Sequence, residues 1–429
     1  MSTARPSTPP NVRWIARTLK EAGHDTWAVG GAVRDVLMGR SSGDWDLATS
    51  AHPKELRRIF RRTVPLAVEH GTVGVLVRDG TMYEVTTFRR DVETDGRHAV
   101  VEFADTIEVD LSRRDFTVNA IAWHPLKEEL LDPFGGLSDM RARVLRTVGA
   151  PAERLREDYL RILRALRFAG LFGFEIEAET WKALCGLVGE LRGLSAERIR
   201  DELLKVLDQD STPSRALDLY ARSGALGVLY PELEALRETP PDPSRWTLSV
   251  ETVQELPRGR PMLRVAALVR ELAPAHVAAM LLRLRFSNAH VDETAHRAGA
   301  APLPGPDVDD RSFRRWLSAS GPQRLAALAR LDLARALAER RLFMRDSVDA
   351  LVTSWRRARA VRAEGPALDL GALELDGRGL IRLGLKPGPH FGRILDALLD
   401  WVLDDPSRNR QDLLAARALE LAAGEPSGG

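Results

Sequence analysis

The stretch from Trp27 to Ser50 restricts the possible folds of this chain more than any other. It opens on a short apolar run ending in Gly30 and Gly31. It continues through Arg34 and Asp35 in a helical pattern, crosses a polar turn at 39–43 and reaches Asp44-Trp45-Asp46. The order reads as strand, glycine pair, helix, turn, strand. Glycines let a backbone come close to a phosphate, and the N–H groups that start a helix favour an anion. Arg34 adds a fixed positive charge. In an extended strand side chains alternate faces, so Asp44 and Asp46 point the same way. Two such carboxylates repel each other unless a cation lies between them. Mg²⁺ suits the pair, because it takes oxygen ligands and completes its shell with water and substrate phosphates. The stretch therefore predicts a triphosphate cradle (Gly30, Gly31, Arg34) beside a two-metal site on Asp44 and Asp46, suited to in-line displacement. A βαβ piece with surface acids is the plain alternative, and the two features in this order weigh against it.

The chain has 429 residues, which exceeds one ordinary core and suggests about two to four units. Its net charge is +1, so nucleic-acid binding would rest on local basic patches and not on a global field. Cys185 is the sole cysteine, which excludes an intrachain disulfide and fits a reducing cytoplasm. No apolar run approaches the ~18 residues of a membrane span. The two ends, MSTARPSTPP and GEPSGG, are expected to be loose.

An amphipathic helix is expected over Asn11–Gly23, strands over Thr26–Val29 and Asp44–Ala48, and a basic helix after His52-Pro53. His70–Val77 and Met82–Phe88 alternate like a hairpin around Asp79-Gly80. Glu84, on the second of these strands, has two readings: a third carboxylate facing the metals, or an exposed strand residue. Arg89–Phe103 is a charged loop, and its His98 has no second His or Cys nearby to make a metal site. In Leu111–Trp123, Arg113, Arg114 and Asp115 precede Phe116 and an expected apolar helix. Alone, that is a capping acid with surface arginines.

Glu157–Phe168 reads as one helix. At about 100° per residue, Glu157, Asp158, Arg161 and Arg164 share an arc of about 120°. Leu160, Ile162, Leu163 and Leu166 face away from it, and Arg167 lies at the border. Such a face is an ion-paired surface or something more selective. Cytosine and adenine both present an exocyclic amine beside a ring nitrogen acceptor. A carboxylate accepts from the amine and an arginine donates to the acceptor. Uracil and guanine put a carbonyl where the amine would be, and a buried unpaired polar group costs about 1–3 kcal/mol. One Asp–Arg pair can therefore select C and A without a template.

These segments together resemble a known family. GGAVRD with GDWD, RRDFTVNA, EDYLR and ERIRDE stand here in the order found in class II tRNA nucleotidyltransferases (CCA-adding enzymes) and bacterial poly(A) polymerases, of the polymerase β superfamily. The resemblance is strong over about residues 26–205. It implies an α+β fold: a nucleotidyltransferase head with a mixed five-stranded sheet, then an all-helical neck, body and tail, at 11–147, 148–212, 213–340 and 341–429. It implies triphosphate contact by Arg114 and ribose-hydroxyl recognition by Asp115. Base recognition falls to Asp158 and Arg161, with further nucleotide contacts from Arg164 and Arg167. Arg89–Phe103 matches a mobile loop that helps switch nucleotide choice, Leu131–Gly136 a hinge, and Ser195–Glu202 a brace for the base-reading helix. The implied reaction is Mg²⁺-dependent transfer from CTP or ATP to the 3′ end of tRNA, with release of pyrophosphate.

The second half is helical and chemically quiet. Where many relatives carry a His-Asp phosphohydrolase pair this chain has Arg270-Glu271, so no such activity is expected. Three rivals stay open: a partial enzyme that adds only CC or only A, a poly(A) polymerase, and a non-catalytic RNA-binding relative.

Overall fold

The computed structural model describes residues 8–41, 43–67, 71–94, 99–237 and 244–424, with the side chains of 91–94 and 99–101 left aside. Residues 1–7 and 425–429 of the two ends lie outside it, as do His70, Asp95, Arg97 and His98. The chain divides into two compact units, Met1–Glu234 and Ala235–Gly429.

The first unit begins with α1 (Pro10–Glu21), β1 (Thr26–Val29), α2 (Gly31–Leu37), β2 (Asp46–Thr49) and α3 (Pro53–Ile59). The strands β3 (Thr63–Ala67), β4 (Thr72–Leu76) and β5 (Met82–Thr87) follow, then β6 (Arg89–Thr94), β7 (Ala99–Phe103) and α4 (Ile107–Ser112). Next come β8 (Ala122–His124), β9 (Glu129–Leu131), α5 (Gly136–Ala142) and β10 (Val144–Leu145). Helices α6 (Pro151–Glu157) and α7 (Leu160–Phe172), β11 (Glu175–Ile176), α8 (Ala178–Leu187), α9 (Ala196–Gln209) and α10 (Pro213–Ser223) complete the part that matters here.

The main sheet runs β3-β4-β5-β2-β1-β8-β9. It is mixed: β2 and β5 are parallel and the other neighbours antiparallel. It has seven strands and not five. β8 and β9 are three residues each, too short to show an alternation. The apolar helix expected after Phe116 is instead a single 3-10 turn, Thr117–Asn119, leading into β8. Ala120, Ile121, Ala122 and Trp123 are all buried, and a run buried on every side carries no period that separates strand from helix. The segment Arg89–Phe103 folds as the two-stranded ribbon β6–β7 on its described residues. Trp27, Val29, Ala48, Phe88, Ile107 and Leu111 form a core beside the sheet.

Helix α7 lies closely on α10. A Cβ at Gly170 would stand 2.6 Å from that of Ala216, so only glycine allows the approach. This contact fixes the helix that carries Arg161 and Arg164.

In the second unit helices include Leu325–Phe343, Val348–Ala363, His390–Asp404 and Gln411–Gly424. Leu380, Ile394, Leu398, Val402, Leu414 and Ala418 pack into a core there. Arg270 binds Asp332 at 2.6 Å, and Glu271 pairs with Arg335. No helix among the described residues is long and apolar enough to cross a membrane.

Candidate active site

Gly30 ends β1 with φ +75° and ψ −136°, a conformation that L side chains rarely adopt. A Cβ there would lie 3.0 Å from Arg114 Nη1 and 3.7 Å from Asp46 Oδ2. The bare backbone thus faces a guanidinium and a carboxylate at once. Asp46 is the first residue of β2; Asp44 lies just before the strand and is exposed, so the strand starts two residues later than expected. The parallel register pairs Leu47 with Val85, which sets Asp46 beside Glu84 on the same face. The electrostatics agree. The Asp46 carboxyl is pushed up to about 6, first by burial, then by the charges of Asp44 and Glu84, with Arg114 pulling the other way. Glu84 is exposed on β5, and its charge acts on Asp46.

Among the described residues no three His, Cys, Asp or Glu side chains converge to hold an ion. Asp44 and Asp46 offer two carboxylates. That donor set suits Mg²⁺, which leaves most of its shell to water and phosphate oxygens.

Arg113 and Arg114 follow the end of α4, where Asp110, 1% exposed, anchors both. Asp115 is buried and crowded with donors. Its Oδ1 accepts from the Phe116 N–H and from Asn119 Nδ2, each at 2.9 Å. Its Oδ2 accepts from Arg164 Nε at 2.7 Å. Burial pushes this carboxyl up, but the Arg164 charge and the two side-chain hydrogen bonds outweigh it and hold it at about 2. Asn119 Oδ1 in turn accepts from Arg34 Nη1 at 2.6 Å. Arg34 is buried, pairs with Asp35 at 2.8 Å and lies over the rings of Phe168 (5.0 Å) and Phe172 (4.6 Å). It is a packed cation at the base of the site rather than a loose phosphate hook.

The segment Glu157–Phe168 is not one helix. It breaks at Asp158, which is extended at φ −156° and ψ 107° between α6 and α7. The shared arc therefore applies to Arg161 and Arg164 alone. Asp158 is placed by the break: its Oδ1 accepts from the Leu160 N–H at 3.0 Å, and its Oδ2 from Arg198 Nη2 at 2.7 Å. A carboxylate offers about four acceptor positions, so both oxygens keep capacity. Arg161 pairs with Glu157 and donates to the Arg154 and Arg113 carbonyls.

A cavity of about 430 Å³ gathers Gly30, Gly31, Arg34, Asp46, Arg114, Asp115, Asp158, Arg161 and Arg164, together with Arg113, Asn119, Leu160 and Phe168. Five of these residues are arginines and three are aspartates, an excess of positive charge that suits a polyanion. Asp44 and Glu84 stand off the cavity wall. Arg167 is not brought to it either: its Nε donates to Glu202 Oε2 at 2.7 Å, and both groups are buried. Glu202 also accepts from Lys205 at 2.9 Å. Burial pushes the Glu202 carboxyl up, and the charge and hydrogen bond of Arg167 together with those of Lys205 outweigh it and hold it below the usual range. Replacing Glu202 by alanine strands a buried guanidinium and is expected to destabilise the protein by about 3–5 kcal/mol in denaturant unfolding. A change below about 1 kcal/mol would remove Glu202 as the brace.

Sequence reasoning missed Asn119, Phe168 and the Arg198–Asp158 pair as parts of the site. Asn119 did leave a signal, a polar residue inside the apolar run Phe116–Trp123. Phe168 left none.

Residues 26–146 match the family described as poly A polymerase head domain, and residues 173–236 match the probable RNA- and SrmB-binding site of polymerase A. The CCA-adding enzyme of Geobacillus kaustophilus is 34% identical over 414 residues, covering 95% of each chain. That of Anoxybacillus flavithermus is 45% identical over 226 residues, 52% of this chain and 56% of the relative. A crystal structure of the Bacillus stearothermophilus CCA-adding enzyme in complex with CTP shares the fold at a TM-score of 0.76 and 30% identity, covering 97% of this chain and 98% of the other. The Thermotoga maritima enzyme complexed with tRNA, at 22% identity and a TM-score of 0.61, shares the fold. With a head, a glycine cradle and an arginine-lined cavity of this design, and with full-length similarity on top, this chain belongs to the CCA-adding enzyme family of tRNA nucleotidyltransferases.

Proposed function

We propose that this protein adds CMP and AMP from CTP and ATP to the 3′ end of tRNA, without a nucleic-acid template, and releases pyrophosphate. The observation that carries this reading is the cavity. In one space it joins a glycine backbone and Arg114 for phosphates, Asp46 for a metal ion, Asp115 for a sugar hydroxyl, and Asp158 with Arg161 for a base.

Each part has a stated task. The Gly30–Gly31 backbone lets the triphosphate lie close, and Arg114 offsets its charge. Asp44 and Asp46 would hold Mg²⁺. When bound, that ion lowers the pKa of the attacking 3′-hydroxyl and neutralises the departing phosphates. Glu84 adds negative charge next to Asp46 and so favours cation binding there. Asp115 accepts from a ribose hydroxyl. Asp158 accepts from the exocyclic amine shared by cytosine and adenine, and Arg161 donates to the neighbouring ring acceptor. Arg164 holds Asp115, and Arg167 acts from outside the cavity by bracing α7 on α9. In this reading 11–147 is the catalytic head and 148–212 the neck that reads the base. Residues 213–340 are the body and 341–429 the tail, and the protein acts in the cytoplasm, where tRNA is processed.

The test uses tRNA transcripts ending at the discriminator base, at C and at CC. Each is incubated with Mg²⁺ and single nucleotides, then with CTP and ATP together, and the 3′ ends are sequenced. Completion to CCA from the bare end is the expected result. Arrest at CC, or action only on the CC-ended tRNA, assigns a partial enzyme. Long A tracts assign a poly(A) polymerase, and no incorporation under any condition refutes the enzymatic reading.

A further inference from the structure

Cations crowd one face of the head. On α1, Arg13, Arg17 and Lys20 recur at helical spacing and are exposed. On α3, Lys54, Arg57 and Arg58 do the same, and Arg61 and Arg62 follow the helix end at Phe60. The two helices lie side by side and antiparallel. His24, just past α1, stands 3.9 Å from Glu55 at the start of α3, and Trp14 meets Phe60 at its end with ring centroids 5.6 Å apart. Asn11 donates to Asp79 at 2.9 Å, which brings the turn carrying exposed Arg78 to the same end. Three acids share this surface, Glu21, Glu55 and Asp79. Glu55 accepts from the His52 N–H at 2.8 Å, and Asp79 accepts from the Thr81 N–H as well as from Asn11. Among the described residues none of these nine cations closes an ion pair. Like charges three or four residues apart weaken a helix, so the pattern carries a stability cost that a bound polyanion offsets. β5 buries Tyr83 and Val85 and exposes Glu84, and α3 packs on the neighbouring β4. The patch therefore lies behind the sheet, on the face turned away from Asp46 and Glu84.

We propose that α1 and α3 form a second RNA surface, which holds an unpaired RNA strand behind the sheet with its phosphates on the arginines and a base on Trp14. Seven of the nine cations are arginines, whose planar fork matches a phosphate bidentately. Trp14 is 45% exposed, with Arg13 and Arg17 on its own helix and Arg61 just beyond the ring it packs on. An aromatic face among such cations stacks bases of any sequence. An anionic membrane is the competing polyanion, but it takes up a helix by its apolar face. Here Val12, Ile15, Leu19 and Leu56 are wholly buried in the head. The surface is separate from the nucleotide cavity and does not depend on the transferase reading.

The experiment titrates the full-length protein with a labelled oligouridylate of about 12 nucleotides, blocked at its 3′ end so that binding is read without catalysis. Anisotropy gives Kd over a range of salt for the wild type, for Trp14→Leu and for a triple variant, Arg17→Gln with Arg57→Gln and Arg61→Gln. Binding to phosphatidylcholine–phosphatidylglycerol vesicles, unfolding temperature and the kcat and KM for CC-ended tRNA are measured alongside. The triple variant is expected to bind the strand at least ~10-fold more weakly, with the slope of log K against log salt reduced by about 2. Trp14→Leu should bind it at least ~5-fold more weakly. In RNA-free buffer the triple variant should unfold no lower than the wild type, because like charges have been removed. A KM for tRNA that rises with Kd makes the strand part of the substrate tRNA, and an unchanged KM makes it a separate RNA; kcat holds within about 2-fold in both cases. An unchanged Kd and slope in the triple variant overturn the inference, as does a wild type that binds no strand. Loss of vesicle binding alone assigns a membrane surface instead. A lower unfolding temperature in the triple variant assigns the cations to the fold and equally overturns it.

Discussion

Asp46→Asn is expected to lower nucleotide incorporation at least ~10³-fold, equivalent to about 4 kcal/mol of transition-state stabilisation, without weakening the fold. The side chain stands at the cavity beside the Gly30 backbone and Arg114. Its ionised form is unfavourable in the protein alone: burial, then Asp44 and Glu84, push the carboxyl up to about 6 from 3.8. A carboxyl whose folded pKa exceeds its unfolded pKa holds its proton more tightly when folded. Its ionisation therefore lowers stability as pH rises from about 4 through about 6. Asparagine lacks that decline. In metal-free buffer at about pH 7 the variant should unfold at a temperature no lower than the wild type, and the difference should close as the pH nears 4. Asp44→Ala should likewise abolish incorporation, and because Asp44 is exposed it should leave the fold intact. Near-wild-type incorporation by both variants would take the aspartate pair out of the chemistry. A lower unfolding temperature for Asp46→Asn would make its role structural.

Asp158→Asn should change which nucleotide is accepted. The carboxylate only accepts, whereas an amide also donates, so a carbonyl of uracil or guanine gains a partner and the amine of cytosine or adenine meets a competing donor. At about 1–3 kcal/mol for each mismatched polar group, the preference for CTP and ATP over UTP and GTP should fall about 5- to 150-fold. The one oxygen that asparagine keeps can still accept from Arg198, while the Leu160 N–H loses its side-chain partner, so unfolding temperature is measured alongside. Single-nucleotide incorporation on CC-ended tRNA reads the ratio directly. An equal loss for all four nucleotides would make Asp158 a structural support of the site, and an unchanged ratio would assign base reading elsewhere.

Much of this site is legible in local sequence because its logic is local. The glycine pair and the Arg161–Arg164 spacing act within a few residues, where strand and helix periods translate position into direction, whereas the roles of Arg114 and Asp115 came only with the family resemblance. The helical second half follows from such reading, whereas Asp158 reaches the cavity through the break between α6 and α7 and not through a helical arc. Three local expectations failed, each for its own reason. The apolar run after Phe116 gave way to a turn and a strand, the short edge strands went unseen, and the helix through Asp158 broke. Burial on every side hid the first, three-residue strands hold no alternation to read, and Arg198 holds Asp158 at the break.

What only the tertiary structure decided is how the charged groups pair. Arg34 meets Asn119 across 85 residues, Arg164 meets Asp115 across 49, Asp158 meets Arg198 across 40, and Arg167 meets Glu202 across 35. Sequence alone determined which chemistry this chain carries, because acids, arginines and glycines at short spacings have few other uses together. It could not determine which arginine faces the cavity and which braces a helix. Both kinds are partly or fully buried cations that gain from an anion, and the anion each one finds is set by how distant segments pack.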